Sequence, residues 1–223
     1  MPAGSRPGLI YRFFDWLLLK VAVRRSFDGL ELVNNFASGK GGELESVERA
    51  LALIREFDPV RYRRLRRDLA RIRVILLTGV FVEFSVRDWT CRLDGRFMNQ
   101  ESTTIERVAL AIAHVATHAR LFKMGFGYEE KMRGRIERIC VRREIALAAK
   151  LPTGEGAGNW ARAALNARPA LSDDALLERR DVGARDNFLY LGVSPVIADA
   201  VVSYVGWRRR RRARKLKINS SRP

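Results

Sequence analysis

The chain has 223 residues, 47% hydrophobic and 30% charged, which is enough apolar material for a buried core and excludes wholesale disorder. With 17 Gly, 7 Pro, 2 Cys and no visible period, it is not collagen-like, a repeat array or a disulfide scaffold. The formal net charge is +17, but nine of the 42 Lys and Arg lie in the acid-free stretch Arg208–Pro223, so a polyanionic partner is a question about the tail rather than the whole domain.

Leu9–Val23 is apolar but interrupted by Arg12, Asp15 and Lys20, with no small-residue cleavage site after it. It reads as an amphipathic helix that docks on the domain or lies on a membrane surface. Gly39–Gly42 is a loop, Leu44–Phe57 has helical periodicity, and Asp58-Pro59 ends that helix and starts another that runs to about Ala70. The cluster Arg61, Arg63, Arg64, Arg66 and Arg67 reads as a solvated face of the second helix.

The period then changes to two. Ile72–Leu77 is β-branched and apolar, Val80, Val82, Phe84 and Val86 alternate with Phe81, Glu83, Ser85 and Arg87, and Asp94-Gly95 looks like a hairpin turn. Thr103 with Glu106 forms a capping box for a helix to about Lys123, ended by Gly125 and Gly127. A further helix is expected over Glu129–Lys150, then a glycine-rich loop over Thr153–Gly158 without a phosphate-binding pattern, and a helix start at Ser172-Asp173-Asp174. The fold class expected is α+β, mainly helical, with a small antiparallel sheet ahead of a helix pair.

Phe188–Trp207 is long enough to weigh as a membrane span, but it contains Pro195 and Asp199, and a charge in mid-span costs about 2.5–3.5 kcal/mol. Ser194-Pro195 is instead a good helix start. A buried C-terminal helix running into the basic tail is expected. The chain divides on this reading into 1–38, an α+β domain over 39–207, and the tail 208–223. Cys91 and Cys140 are 49 residues apart with no CxxC, which fits a reduced, cytoplasmic chain.

The chain has two histidines, His114 and His118. Four residues apart on one helix, they share a face, so both imidazoles can reach one metal ion. On the next helix Lys131, Arg135, Arg138 and Arg142 form a basic outer face, which turns Glu130, Glu137 and Glu144 inward. Inward carboxylates need a cation, either a metal or Arg107 or Arg120 of the preceding helix. Cys140, one turn from Glu137, reads as a small core residue, or as a substitute ligand or near neighbour of the metal.

The run His114-Val115-Ala116-Thr117-His118, with Glu137 nineteen residues beyond the second histidine, resembles the HExxH zinc peptidases whose third ligand is a downstream glutamate. The resemblance spans Ile72–Pro152 at most. It implies zinc held by His114, His118 and Glu137, strands ahead of the first metal helix, and a general base at position 115. Val115 stands at that position and accepts no proton, and loss of a general base typically removes 10²–10⁴-fold in rate. Glu144 as a replacement acid and Tyr128 as an oxyanion donor are weaker candidates outside the family pattern.

These residues point to a zincin-like zinc protein that is catalytically silent or weakened. The alternative is a peripheral membrane or polyanion-binding module, in which the N-terminal helix and Arg208, Arg209, Arg210, Arg211, Arg212, Arg214, Lys215 and Lys217 engage anionic lipid. Nucleic acid is the weaker polyanion, because no basic patch is interleaved with stacking aromatics.

Overall fold

A β-hairpin comes first among the described residues because Asp28 and Gly29 both take positive φ, 49° and 81°, the backbone twist a two-residue hairpin turn needs. It joins β1 (Val23–Phe27) to β2 (Leu30–Asn34). The computed structural model describes residues 22–36, 41–166 and 170–220, and the side chains of 165, 210 and 212–220 are outside that description. The expected N-terminal helix therefore lies outside the described residues, apart from Ala22, which is in a bend, and Val23, which is in β1.

Helix α1 (Glu43–Phe57) buries Leu44, Val47, Leu51 and Ile54, an i, i+3, i+7, i+10 stripe. Asp58 closes it and caps α2 (Pro59–Asp68), accepting the Arg61 amide at 3.2 Å with Pro59 at the first helical position. Arg63, Arg64, Arg66 and Arg67 are exposed, as a solvated face requires, whereas Arg61 turns back to Asp58 at 3.0 Å and to the Arg143 carbonyl at 2.8 Å.

Strands β3 (Arg71–Ile75), β4 (Val82–Ser85) and β5 (Thr90–Asp94) complete a sheet of order β1-β2-β3-β5-β4. The sheet is mixed rather than antiparallel. Both outer pairs are antiparallel, but β2–β3 and β3–β5 are parallel: the α1–α2 crossover returns the chain to β3 in the direction of β2, and β4 runs back along the outer edge before β5 inserts beside β3. Asp94-Gly95 is not a hairpin turn. Asp94 caps the short helix α3 (Gly95–Met98), accepting the Arg96 amide at 2.7 Å. The β4–β5 turn is instead at Val86–Trp89, where Trp89 has φ 51°.

Helix α4 (Ile105–Lys123) is capped by Thr104, whose hydroxyl accepts the Arg107 amide at 3.3 Å, one residue later than the capping-box expectation. Glu106 pairs with the Thr153 hydroxyl at 2.6 Å instead. The helix ends in a Schellman arrangement: Phe126 N–H reaches the Leu121 carbonyl at 3.0 Å, Gly125 N–H the Phe122 carbonyl at 2.9 Å, and Gly125 sits at φ 89°. Helix α5 (Glu130–Ala148) follows after a short turn and packs on α4. Val108, Ile112, Val115 and Ala119 of α4 join the α1 stripe and the β2, β3 and β5 side chains in one hydrophobic core.

The glycine-rich segment after Pro152 is helical, forming most of the first two turns of α6 (Gly154–Asn166). Gly154 and Gly158 supply close approach there, since a Cβ on either would meet Ala148. Main-chain contacts group Thr78–Val80 and Ser172–Pro223 as a second compact unit, so a division falls inside the span 39–207. That unit contains α7 (Asp173–Tyr190), capped by Ser172 on the Ala175 amide at 3.2 Å, and α8 (Pro195–Ser220), which begins at the expected Ser194-Pro195 start. Phe188–Trp207 is not one buried helix: the chain turns at Leu191–Ser194, with Gly192 at φ 79°, and Val196, Ile197, Tyr204 and Trp207 are exposed. Among the described residues, no helix is long and apolar enough to cross a membrane.

Candidate metal centre

The α4–α5 pair runs antiparallel, so the order of facing residues is reversed: His118 meets Glu137, while His114 reaches both Glu137 and Glu144. The turn is short enough that Tyr128 folds over the same spot, its ring 5.4 Å from that of His118. Ala109, Ala113 and Ala116 are buried on the core side of α4, away from the face that carries the histidines.

Three side chains converge. His114 Nε2 and His118 Nε2 are 2.9 Å apart, His114 Nε2 is 3.3 Å from Glu137 Oε2, and His118 Nε2 is 3.4 Å from Glu137 Oε1. Nitrogen and oxygen donors about 2.0–2.1 Å from a tetrahedral zinc lie roughly 3.3–3.4 Å from one another. Each imidazole stands at that spacing from a different oxygen of Glu137, and the two nitrogens are slightly closer to each other than that.

Glu144 approaches His114 from the other side and accepts the Nδ1–H. It is 4% exposed, so its carboxylate is committed to holding the ring. Tyr128 donates its hydroxyl to Glu137, and Arg133, itself buried, stacks over the Tyr128 ring at 5.4 Å and donates to the Leu171 carbonyl at 2.9 Å. Cys140 also faces the centre: its sulfur and the imidazole nitrogens of His114 and His118 all lie within 4.8 Å of one another.

The electrostatics follow from two carboxylates in a half-closed site. Burial opposes charge on His114, but Glu137 and Glu144 outweigh it and raise its pKa to about 10. Burial lowers the pKa of His118, and the charge on His114 adds to that. For Glu137 burial works against ionisation, yet the bonds from His114 and His118 win and hold it well below the usual carboxylate range. Burial and the Glu137 charge push Tyr128 up, and burial with both glutamates does the same to Cys140. The two carboxylates that favour the charged form of His114 would stabilise a bound cation in the same way.

Of the sequence expectations, His114, His118, Glu137, Glu144 and Tyr128 are brought together, whereas Glu130 is exposed on the rim of α5. Arg107 and Arg120 face other partners: Arg107 lies over the Trp160 ring and Arg120 near Asp68. Tyr128 reaches the centre through Glu137, and Glu144 through the far nitrogen of His114. Cys140, read from the sequence as a core residue or as a substitute ligand or near neighbour of the metal, is both fully buried and grouped with the two imidazoles. Cys91 and Cys140 are both free, buried thiols. Val115 is 0% exposed and belongs to the core. Neither a protein-family model, nor a curated protein, nor a solved structure matches this chain.

Proposed function

We propose that the α4–α5 pair is a zinc-binding centre in a zincin-like protein without peptidase chemistry. The reading rests on the convergence of His114 Nε2 and His118 Nε2, 2.9 Å apart, on the two oxygens of Glu137, at 3.3 Å from Oε2 and 3.4 Å from Oε1 respectively. Two neutral imidazoles and one carboxylate are a donor set that zinc favours. Glu144 fixes the tautomer and orientation of His114, and Tyr128 fixes Glu137. Bound zinc would supply a fixed divalent charge and a Lewis acid, but the residue after His114 is the core side chain Val115, which cannot take a proton from anything in the site.

Elemental analysis of chelator-free protein tests this. About one zinc per chain is expected, lost in both His114→Ala and Glu137→Ala. Wild-type protein that holds no metal after dialysis against zinc overturns the reading.

A second reading concerns α8. Tyr204 and Trp207 are 56% and 48% exposed, their rings 5.9 Å apart, and Arg211 lies 5.3 Å over Trp207 where the basic run begins. Exposed aromatics beside clustered cations suit the headgroup layer of an anionic membrane. Deleting residues 208–223 should abolish binding to phosphatidylserine vesicles, and retained binding removes the tail from this reading.

A further inference from the structure

On α5, Glu137, Cys140 and Glu144 occupy positions i, i+3 and i+7, one stripe aimed at the two histidines of α4. Cys140 is 0% exposed and its sulfur shares the donor cluster of His114 and His118, with every separation within 4.8 Å. Zinc–sulfur and zinc–nitrogen bonds of about 2.3 and 2.0–2.1 Å set the two donor atoms roughly 3.5 Å apart. Closing the difference takes at most about 1.3 Å, shared between the two side chains by small rotations within their rotamer wells.

We propose that Cys140 is the fourth ligand of this centre, closing the coordination sphere and selecting zinc over hard divalent ions. The proposal rests on the reading of His114, His118 and Glu137 as ligands. As the metal–sulfur bond forms, the thiol proton leaves to solvent.

Two consequences separate this centre from an open catalytic one. With four protein ligands there is no position for a metal-bound water, so the zinc is structural and the silence implied by Val115 is reinforced. A thiolate also changes selectivity: two imidazoles and a carboxylate alone accept several divalent ions, whereas sulfur favours zinc and cobalt over magnesium and manganese.

Cobalt substitution of the full chain reads both layers separately. Visible d–d bands report that the centre holds a metal, and a near-ultraviolet sulfur-to-cobalt charge-transfer band reports Cys140. Both are expected in the wild type and in Cys91→Ser, whose sulfur lies buried in the β5 core. In Cys140→Ser the d–d bands should persist while the charge-transfer band disappears, and zinc affinity should fall by more than the roughly 10–100-fold typical of an outer-shell change. X-ray absorption of the zinc-loaded wild type, which depends on no variant folding, should show one sulfur at about 2.3 Å. Metal bound through nitrogen and oxygen alone overturns the fourth ligand and leaves the three-ligand centre standing. No d–d bands in the wild type would overturn the centre itself, and the fourth ligand with it.

Discussion

Glu144 and His114 face each other across the α4–α5 seam, with the carboxylate accepting the imidazole Nδ1–H and Nε2 left to point at His118 and Glu137. This is the arrangement in which a carboxylate behind a histidine fixes its tautomer and raises its basicity as a ligand. Glu144→Gln keeps the shape and removes the charge, so it should weaken zinc binding by about 10–100-fold without abolishing it. Competition against a chromophoric chelator measures this, and an unchanged affinity would show that the pair only packs.

Zinc should also stabilise the fold, because its donors come from two helices that must be docked together. At free zinc about 100 times the dissociation constant, the gain is about 2.7 kcal/mol. The melting temperature should rise on adding zinc and fall again with chelator, whereas His118→Ala should respond to neither. Differential scanning fluorimetry at fixed protein concentration is sufficient.

Val115→Glu would restore the residue that the peptidase pattern requires, but at a position with no exposure inside the core. Desolvating the new carboxylate should cost about 3 kcal/mol. The expected result is a lowered urea midpoint and no chelator-sensitive cleavage of an unstructured peptide. Cleavage appearing with the substitution would mean that the centre keeps an open position and lacks only its base.

Acid should loosen the junction of α1 and α2. Burial opposes ionisation of Asp58, but Lys150 at 3.0 Å and Arg61 at 3.0 Å lower its pKa below the ordinary value. A carboxylate with a depressed folded-state pKa contributes stability that is complete above its unfolded pKa of about 3.9 and is lost as pH falls through the folded value. Asp58→Asn preserves an N-cap, should cost roughly 1 kcal/mol at neutral pH, and should flatten the pH dependence below about 4. Urea midpoints across pH 2.5–7 (approximately) would show the flattening; parallel curves for variant and wild type would discount Asp58.

In the second unit, Gly183 of α7 lies against Thr78 and Gly79, so that a Cβ on Gly183 would strike the backbone of that segment, and one on Gly79 would strike the Arg179 carbonyl. Gly183→Ala should therefore destabilise this unit by roughly 1–3 kcal/mol, even though alanine favours a helix. Hydrogen exchange confined to α7 and α8 would register the loss while α4 and α5 keep their protection.

The sequence alone determined the features that depend on short spacing. His114 and His118 at i, i+4 had to share a helical face, the basic outer face of α5 had to turn Glu137 and Glu144 inward, and Asp58-Pro59, Ser172 and Ser194-Pro195 marked helix boundaries that the chain respects. Each is a matter of local geometry, read over one or two turns. Tertiary structure decided what lies across a gap. Parallel pairing of β2 with β3 followed from the α1–α2 crossover, that of β3 with β5 from the place of β4 on the outer edge, and Asp94-Gly95 became a helix cap because Asp94 also accepts the Leu77 amide at 3.1 Å. The glycines after Pro152 entered a helix because α6 packs tightly on Ala148. The pairing of Glu144 with the far nitrogen of His114, and the approach of the Cys140 sulfur to both imidazoles, depend on the axial offset between α4 and α5. That offset is set by the whole buried interface rather than by any spacing within one helix.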